Sequence, residues 1–89
     1  MYLVVVAVEG PDRPVGAGTL RETVYRSAAE VDRLEHAHVA VVGELIVFSL
    51  YVQVADPARA VASARQLCRR TMAVHGGQLR WRLRATALL

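Results

Sequence analysis

The chain has 89 residues, a formal charge of +3 and 54% hydrophobic residues. That length makes one domain, residues 1–89, and allows only a modest core. The single Cys68 excludes an internal disulfide and reads as a buried structural thiol, and no apolar run is long enough to cross a bilayer.

All eleven cations are Arg, with no Lys and no Asn. Together with the abundant Ala and Val, this bias points to a GC-rich bacterial genome. The high pI therefore reflects codon pressure as much as chemistry, and nucleic acid is not the expected partner. The apolar share is above the usual one, so part of the surface is expected to be hidden against a second molecule. The apolar start, Leu3 to Val8, lacks a basic segment and a small-residue cleavage site, and Glu9 follows at once. No signal peptide is read there. The expected compartment is the cytoplasm.

Tyr2 to Val8 is apolar at every position, which predicts a strand covered on both faces. The run Gly10-Pro11-Asp12-Arg13-Pro14 breaks it. Thr19 and Glu22 have capping-box spacing, although a helix could begin a turn earlier, at Pro14 or Val15. Leu20, Val24 and Ala28 form the apolar face of that helix. Val31 to Val42 shifts toward a period of two and predicts a mixed strand carrying Asp32, Arg33, Glu35, His36 and His38. Gly43 predicts a tight hairpin into a second doubly apolar strand, Glu44 to Val54.

Asp56-Pro57 predicts a helix start, with an acceptor side chain followed by a residue that has no amide to lose. Val61, Ala64, Leu67, Cys68, Thr71 and Met72 make its buried stripe, with Arg59, Arg65, Arg69 and Arg70 on the solvated side. Gly76-Gly77 stops it. The last strand alternates, with Leu79, Trp81, Leu83 and Ala85 facing the core and Arg80, Arg82 and Arg84 facing away.

The order is β-α-β-β-α-β. Strands one and three are apolar on both faces and belong in the centre. Strands two and four are mixed and belong at the edges. The spatial order 4-1-3-2 satisfies this with right-handed crossovers. The fold class is α+β, a ferredoxin-like sandwich with both helices on one face of a four-stranded antiparallel sheet. The other face then presents apolar residues with nothing to cover them, which marks an interface. A two-fold homodimer is the expected assembly.

The loop after strand one is the most distinctive stretch. Gly10 can turn the strand end, the prolines stiffen the loop, and Gly16 and Gly18 leave room for a ligand or a neighbouring backbone. The first amides of the helix would face an anion there. The structural alternative is a stiff turn with a glycine contact between helix and sheet.

VAVEGPDRP, followed by a glycine and a helix, resembles the opening of ACT domains, which are βαββαβ ligand-sensing modules. Ser27-Ala28-Ala29-Glu30-Val31 is similar to their entry to strand two, and Gly43 before an apolar strand fits as well. The resemblance covers residues 3 to 73 as a pattern. It implies a regulatory dimer that binds an amino-acid-like small molecule near the loop, at Gly10, Asp12, Val15 and Gly16; no cofactor is expected. The sequence departs from the family pattern where Val15 follows the proline in place of a glycine, with Gly16 one step later. It also lacks the asparagine of strand two.

Other constellations are weaker. His36 and His38 share a strand face and could begin a zinc or copper site, but no third ligand is near in sequence, and the pair reads as surface histidines. Arg80, Arg82 and Arg84 with Tyr51 suggest the base-stacking sheet of RNA-binding domains, yet GELIVFSLY lacks the corresponding aromatic motif. A charged, aggregation-resistant edge is the simpler account. No Ser-His-Asp order, paired carboxylates or phosphate loop is present. The alternative to a regulatory module is a dimeric α+β barrel that acts on or binds a small organic metabolite, with Tyr51, His36 and His38 as candidates.

Overall fold

The computed structural model describes residues 1–10, 15–76 and 81–89. Strand β1 spans Tyr2–Glu9, helix α1 Ala17–Ser27, a 3-10 turn Glu30–Asp32, β2 Leu34–Val42, β3 Leu45–Val52, α2 Pro57–Gly76 and β4 Arg82–Leu88. The four strands form one antiparallel sheet in the order β2-β3-β1-β4. This is the ferredoxin-like α+β arrangement expected from the apolarity of strands one and three.

The core lies between one sheet face and the two helices. Val4, Val6 and Val8 of β1 alternate inward with Ile46, Phe48, Leu50 and Val52 of β3. Leu20 and Val24 of α1 and Ala60, Ala64, Leu67, Cys68 and Met72 of α2 close over them. Each fully buried Leu, Val or Phe contributes about 1.5–3 kcal/mol of transfer free energy. Asp56 caps α2 as its spacing promises, accepting the Arg59 amide at 2.9 Å. Gly43 turns β2 into β3 with φ +61°, the position where a two-residue hairpin demands glycine.

Four local expectations are corrected. Helix α1 begins at Ala17 with Gly16 at the N-cap, so Thr19 lies inside the first turn and is no cap. Strand β2 begins at Leu34, because Asp32 folds back in the preceding turn. There the buried Asp32 carboxylate accepts the Ala29 amide at 2.7 Å and the guanidinium of Arg70. Arg70 is therefore half-buried and ion-paired and does not belong to the solvated face of α2.

The fourth correction concerns β4. Ala7 pairs with Ala85 but Val8 pairs with Leu83, so Arg84 is an extra residue. This bulge reverses parity along the strand. Trp81 and Leu83 pack on the core as expected. Ala85 and Ala87, paired with Ala7 and Val5, share the face away from the helices, while Thr86 and Leu88 take the helix side opposite Val6 and Val4.

Candidate functional site

Two regions carry chemistry: the corner between β1 and α1, and the sheet face that no helix covers. At the corner, Gly10 has φ +97°, a conformation open to glycine at little cost. Its amide donates to the Glu44 carbonyl at 3.2 Å, which ties the end of β1 to the β2–β3 turn. Val15 is half-buried against the core, and the Gly16 carbonyl accepts the Leu20 amide at 3.0 Å, opening α1.

Gly16 has no side chain with which to cap the helix, and no acidic residue lies in its first turn. Among the described residues the positive end of α1 thus has no side-chain acceptor. A Cβ on Gly18 would meet nothing within 4 Å, and one on Gly16 would make only ordinary contact with Thr19. The expected glycine contact between helix and sheet is therefore not what these positions provide. Gly10 follows the end of β1, and Val15 and Gly16 precede α1; Asp12, the remaining expected ligand residue, lies outside the described residues, as does Arg80.

The open face is laid out by strand register, since directly paired residues point the same way. His36, Tyr51 and Leu3 form one row across the sheet. His38, Ser49, Val5 and Ala87 form the next, and Ala40, Val47, Ala7 and Ala85 the third. Val42, Leu45, Glu9 and Arg82 complete it. The face is thus an apolar field with a histidine and tyrosine corner at one end and a charged corner diagonally opposite.

At the charged corner, Glu9 accepts from Arg84 at 2.6 Å and from Arg82 at 3.3 Å. The hydrogen bond from Arg84, then the charge of Arg82, hold the Glu9 carboxyl below the usual carboxylate range. Two of the three arginines expected to form a free basic stripe are therefore engaged with a carboxylate on their own chain. This weakens the case for nucleic-acid recognition through that edge.

At the other corner stands Tyr25, which no sequence pattern assigns to the site. The fold brings it from α1 around the free edge of β2. Its hydroxyl accepts the Ala37 amide at 2.9 Å, and the Ala37 carbonyl accepts from Arg21 Nε at 3.0 Å. The Arg21 guanidinium sits 5.4 Å from the Tyr25 ring centroid, within cation–π range. The same hydroxyl is 3.3 Å from His36 Nδ1, and the His36 ring lies 6.1 Å from that of Tyr51. A second bulge, at Glu35, lets Leu34 stay on the core side while His36 takes the open face. His75, by contrast, is hydrogen-bonded to Thr23 and links the two helices.

Cys68 is fully buried in α2, and burial pushes its thiol up to about 12. A nucleophilic role needs a thiolate, so Cys68 is a packing residue. Among the described residues, no group of three or more His, Cys, Asp or Glu gathers to hold a metal ion, and no helix is long and apolar enough to cross a membrane.

No protein-family model matches the chain, and no curated protein does. What the geometry defines is a class: a ferredoxin-like α+β domain with an apolar sheet face that no helix covers and, among the described residues, a first helix without a side-chain cap.

Proposed function

We propose that the chain is a non-catalytic, ACT-like regulatory module that pairs with a second copy and binds an amino-acid-like ligand at the β1–α1 corner. The observation that carries this reading is the start of α1. Among the described residues its first turn has neither a capping side chain nor an acidic residue, and it follows the Gly10 turn in the chain. A ligand carboxylate would supply the missing acceptor to the amides of that turn. Gly10 and Gly16 leave the approach open and Val15 offers an apolar contact; Asp12 completes the proposed ligand set.

Dimerisation is supported by the apolar field of Leu3, Val5, Ala7, Leu45 and Val47 on the open face. A few such residues sealed on each of two chains outweigh a typical cost of association.

Thermal unfolding with each of the twenty amino acids tests the ligand. One or a few should raise the melting temperature progressively with concentration, by the linkage of binding to the folded state. No shift with any of them would overturn the assignment.

A second reading, a dimeric α+β barrel that binds or converts a small organic metabolite, is favoured by one observation: Tyr25, His36 and Tyr51 meet at the rim of the same open face. Against an interior site stands the layer between sheet and helices, filled by Phe48, Leu20, Leu50, Leu67 and Met72. Turnover or ligand binding abolished by Tyr51→Phe but untouched by substitution at Gly16 would favour the barrel.

A further inference from the structure

We propose that His36 and His38 form a two-imidazole chelate for a divalent transition metal of the zinc and nickel class, at the free edge of β2. This inference is independent of the amino-acid reading. The two residues occupy successive positions on one face of the strand and are both exposed. Such positions are about 6.6–6.8 Å apart along the backbone. Two ring nitrogens bound to one metal at about 2.0–2.1 Å stand about 3 Å apart. Imidazoles leaning toward each other from adjacent same-face positions can close that difference.

The surroundings of His36 separate it from an ordinary surface histidine. The glutamate bulge turns it onto the open face, Tyr51 packs beside its ring, and Nδ1 lies 3.3 Å from the Tyr25 hydroxyl. That hydroxyl is itself held by the Ala37 amide, and the Arg21 guanidinium lies over the Tyr25 ring. A tyrosine oxygen can accept two hydrogen bonds. With Nδ1–H donating to it, the lone pair of His36 Nε2 is left free for a metal. An outer partner of this kind fixes the tautomer and orientation of a metal-binding histidine.

Neutral imidazole suits zinc, nickel and copper more than calcium or magnesium. With two protein ligands, water fills the other positions, and the site is weaker and more exchangeable than a closed four-ligand centre. Tyr25 acts here as a positioning residue.

Titration of the full chain with Zn2+ alone, followed by calorimetry and by ring signals in NMR, tests the proposal. Saturable binding is expected, with the ring signals of His36 and His38 shifting and those of His75 unmoved. His36→Gln and His38→Gln should each weaken binding by about tenfold or more, and Tyr25→Phe by a smaller factor, through loss of orientation. His75→Gln should leave the affinity unchanged. Both chelating positions are exposed, so their variants should fold, and circular dichroism checks that. Absence of saturable binding at millimolar zinc, or an affinity unchanged in the double variant H36Q/H38Q, would overturn it.

Discussion

The Tyr25 hydroxyl, carried by α1, takes the hydrogen bond that the backbone amide of Ala37 would otherwise offer at the free edge of β2. Arg21 answers the carbonyl of the same residue. An unpaired edge is where a sheet invites further strands. Here one helix closes the edge with two side chains a turn apart and leaves the other face of the sheet bare.

Tyr25→Phe keeps the ring and removes the oxygen. It should cost about 1 kcal/mol, the net worth of a typical hydrogen bond. For a domain of this size, that lowers the melting temperature by about 4–8 °C. Amide exchange at Ala37 should quicken more than exchange in β3. Denaturant unfolding and hydrogen exchange read the two effects separately.

Asp32 and Arg70 should respond unequally to truncation. Asp32→Ala leaves the Ala29 amide and the Arg70 guanidinium without their shared partner, while the Ser63 hydroxyl keeps the backbone carbonyl of residue 32. Its cost should be about 2 kcal/mol, below that of a fully buried pair because the Arg70 side chain is 42% exposed. Arg70→Ala should cost less, since Asp32 keeps the amide and the hydroxyl. Equal losses in urea unfolding would contradict this division.

Cys68 makes a prediction in alkali. Its thiol holds its proton to about 12 when folded, against an ordinary value near 9.0. Above that ordinary value the unfolded chain releases the proton and the folded chain does not. Unfolding is then favoured as pH rises, by about 1.4 kcal/mol per pH unit at most. Cys68→Ala should lack this component, and the difference in stability between the two proteins should narrow steadily from pH 9 toward 12. In native protein at neutral pH, Cys68 should also resist iodoacetamide until urea exposes it.

Glu9 gives the opposite sign. Its carboxyl, held low by Arg84 and Arg82, contributes stability that is present above its ordinary value of 4.5 and is lost as pH falls through the lowered one. Glu9→Gln should therefore flatten the acid limb of the stability profile. Added salt should shrink the difference between the two proteins, because the pair is exposed.

The strand order was legible because β1 and β3 read as apolar on both faces, and only central strands need that. The start of α2 was legible because Asp56-Pro57 combines an acceptor with a missing donor. Bulges left no such trace. Nothing in the composition around Glu35 or Arg84 announces an unpaired residue, yet each changes which side chains share a face. Asp32 was read as part of a mixed strand because its partner, Arg70, lies 38 positions away. Tyr25 joined the edge of β2 through a backbone amide, a partner that no residue pattern reveals. After β1 the glycine turn was readable from Gly10, but neither Thr19 nor Pro14 and Val15 marked the start of the helix, which begins at Ala17 with Gly16 at its N-cap.

The account depends most on the bare face of the sheet being sealed by a second copy of the chain. Sedimentation equilibrium of the native protein and of Val47→Glu, which places a charge at the centre of that face, tests this directly. The native chain should sediment at twice its 9.7 kDa mass, and the variant should be a folded monomer. A native protein that stays at 9.7 kDa across micromolar to millimolar concentration would contradict it.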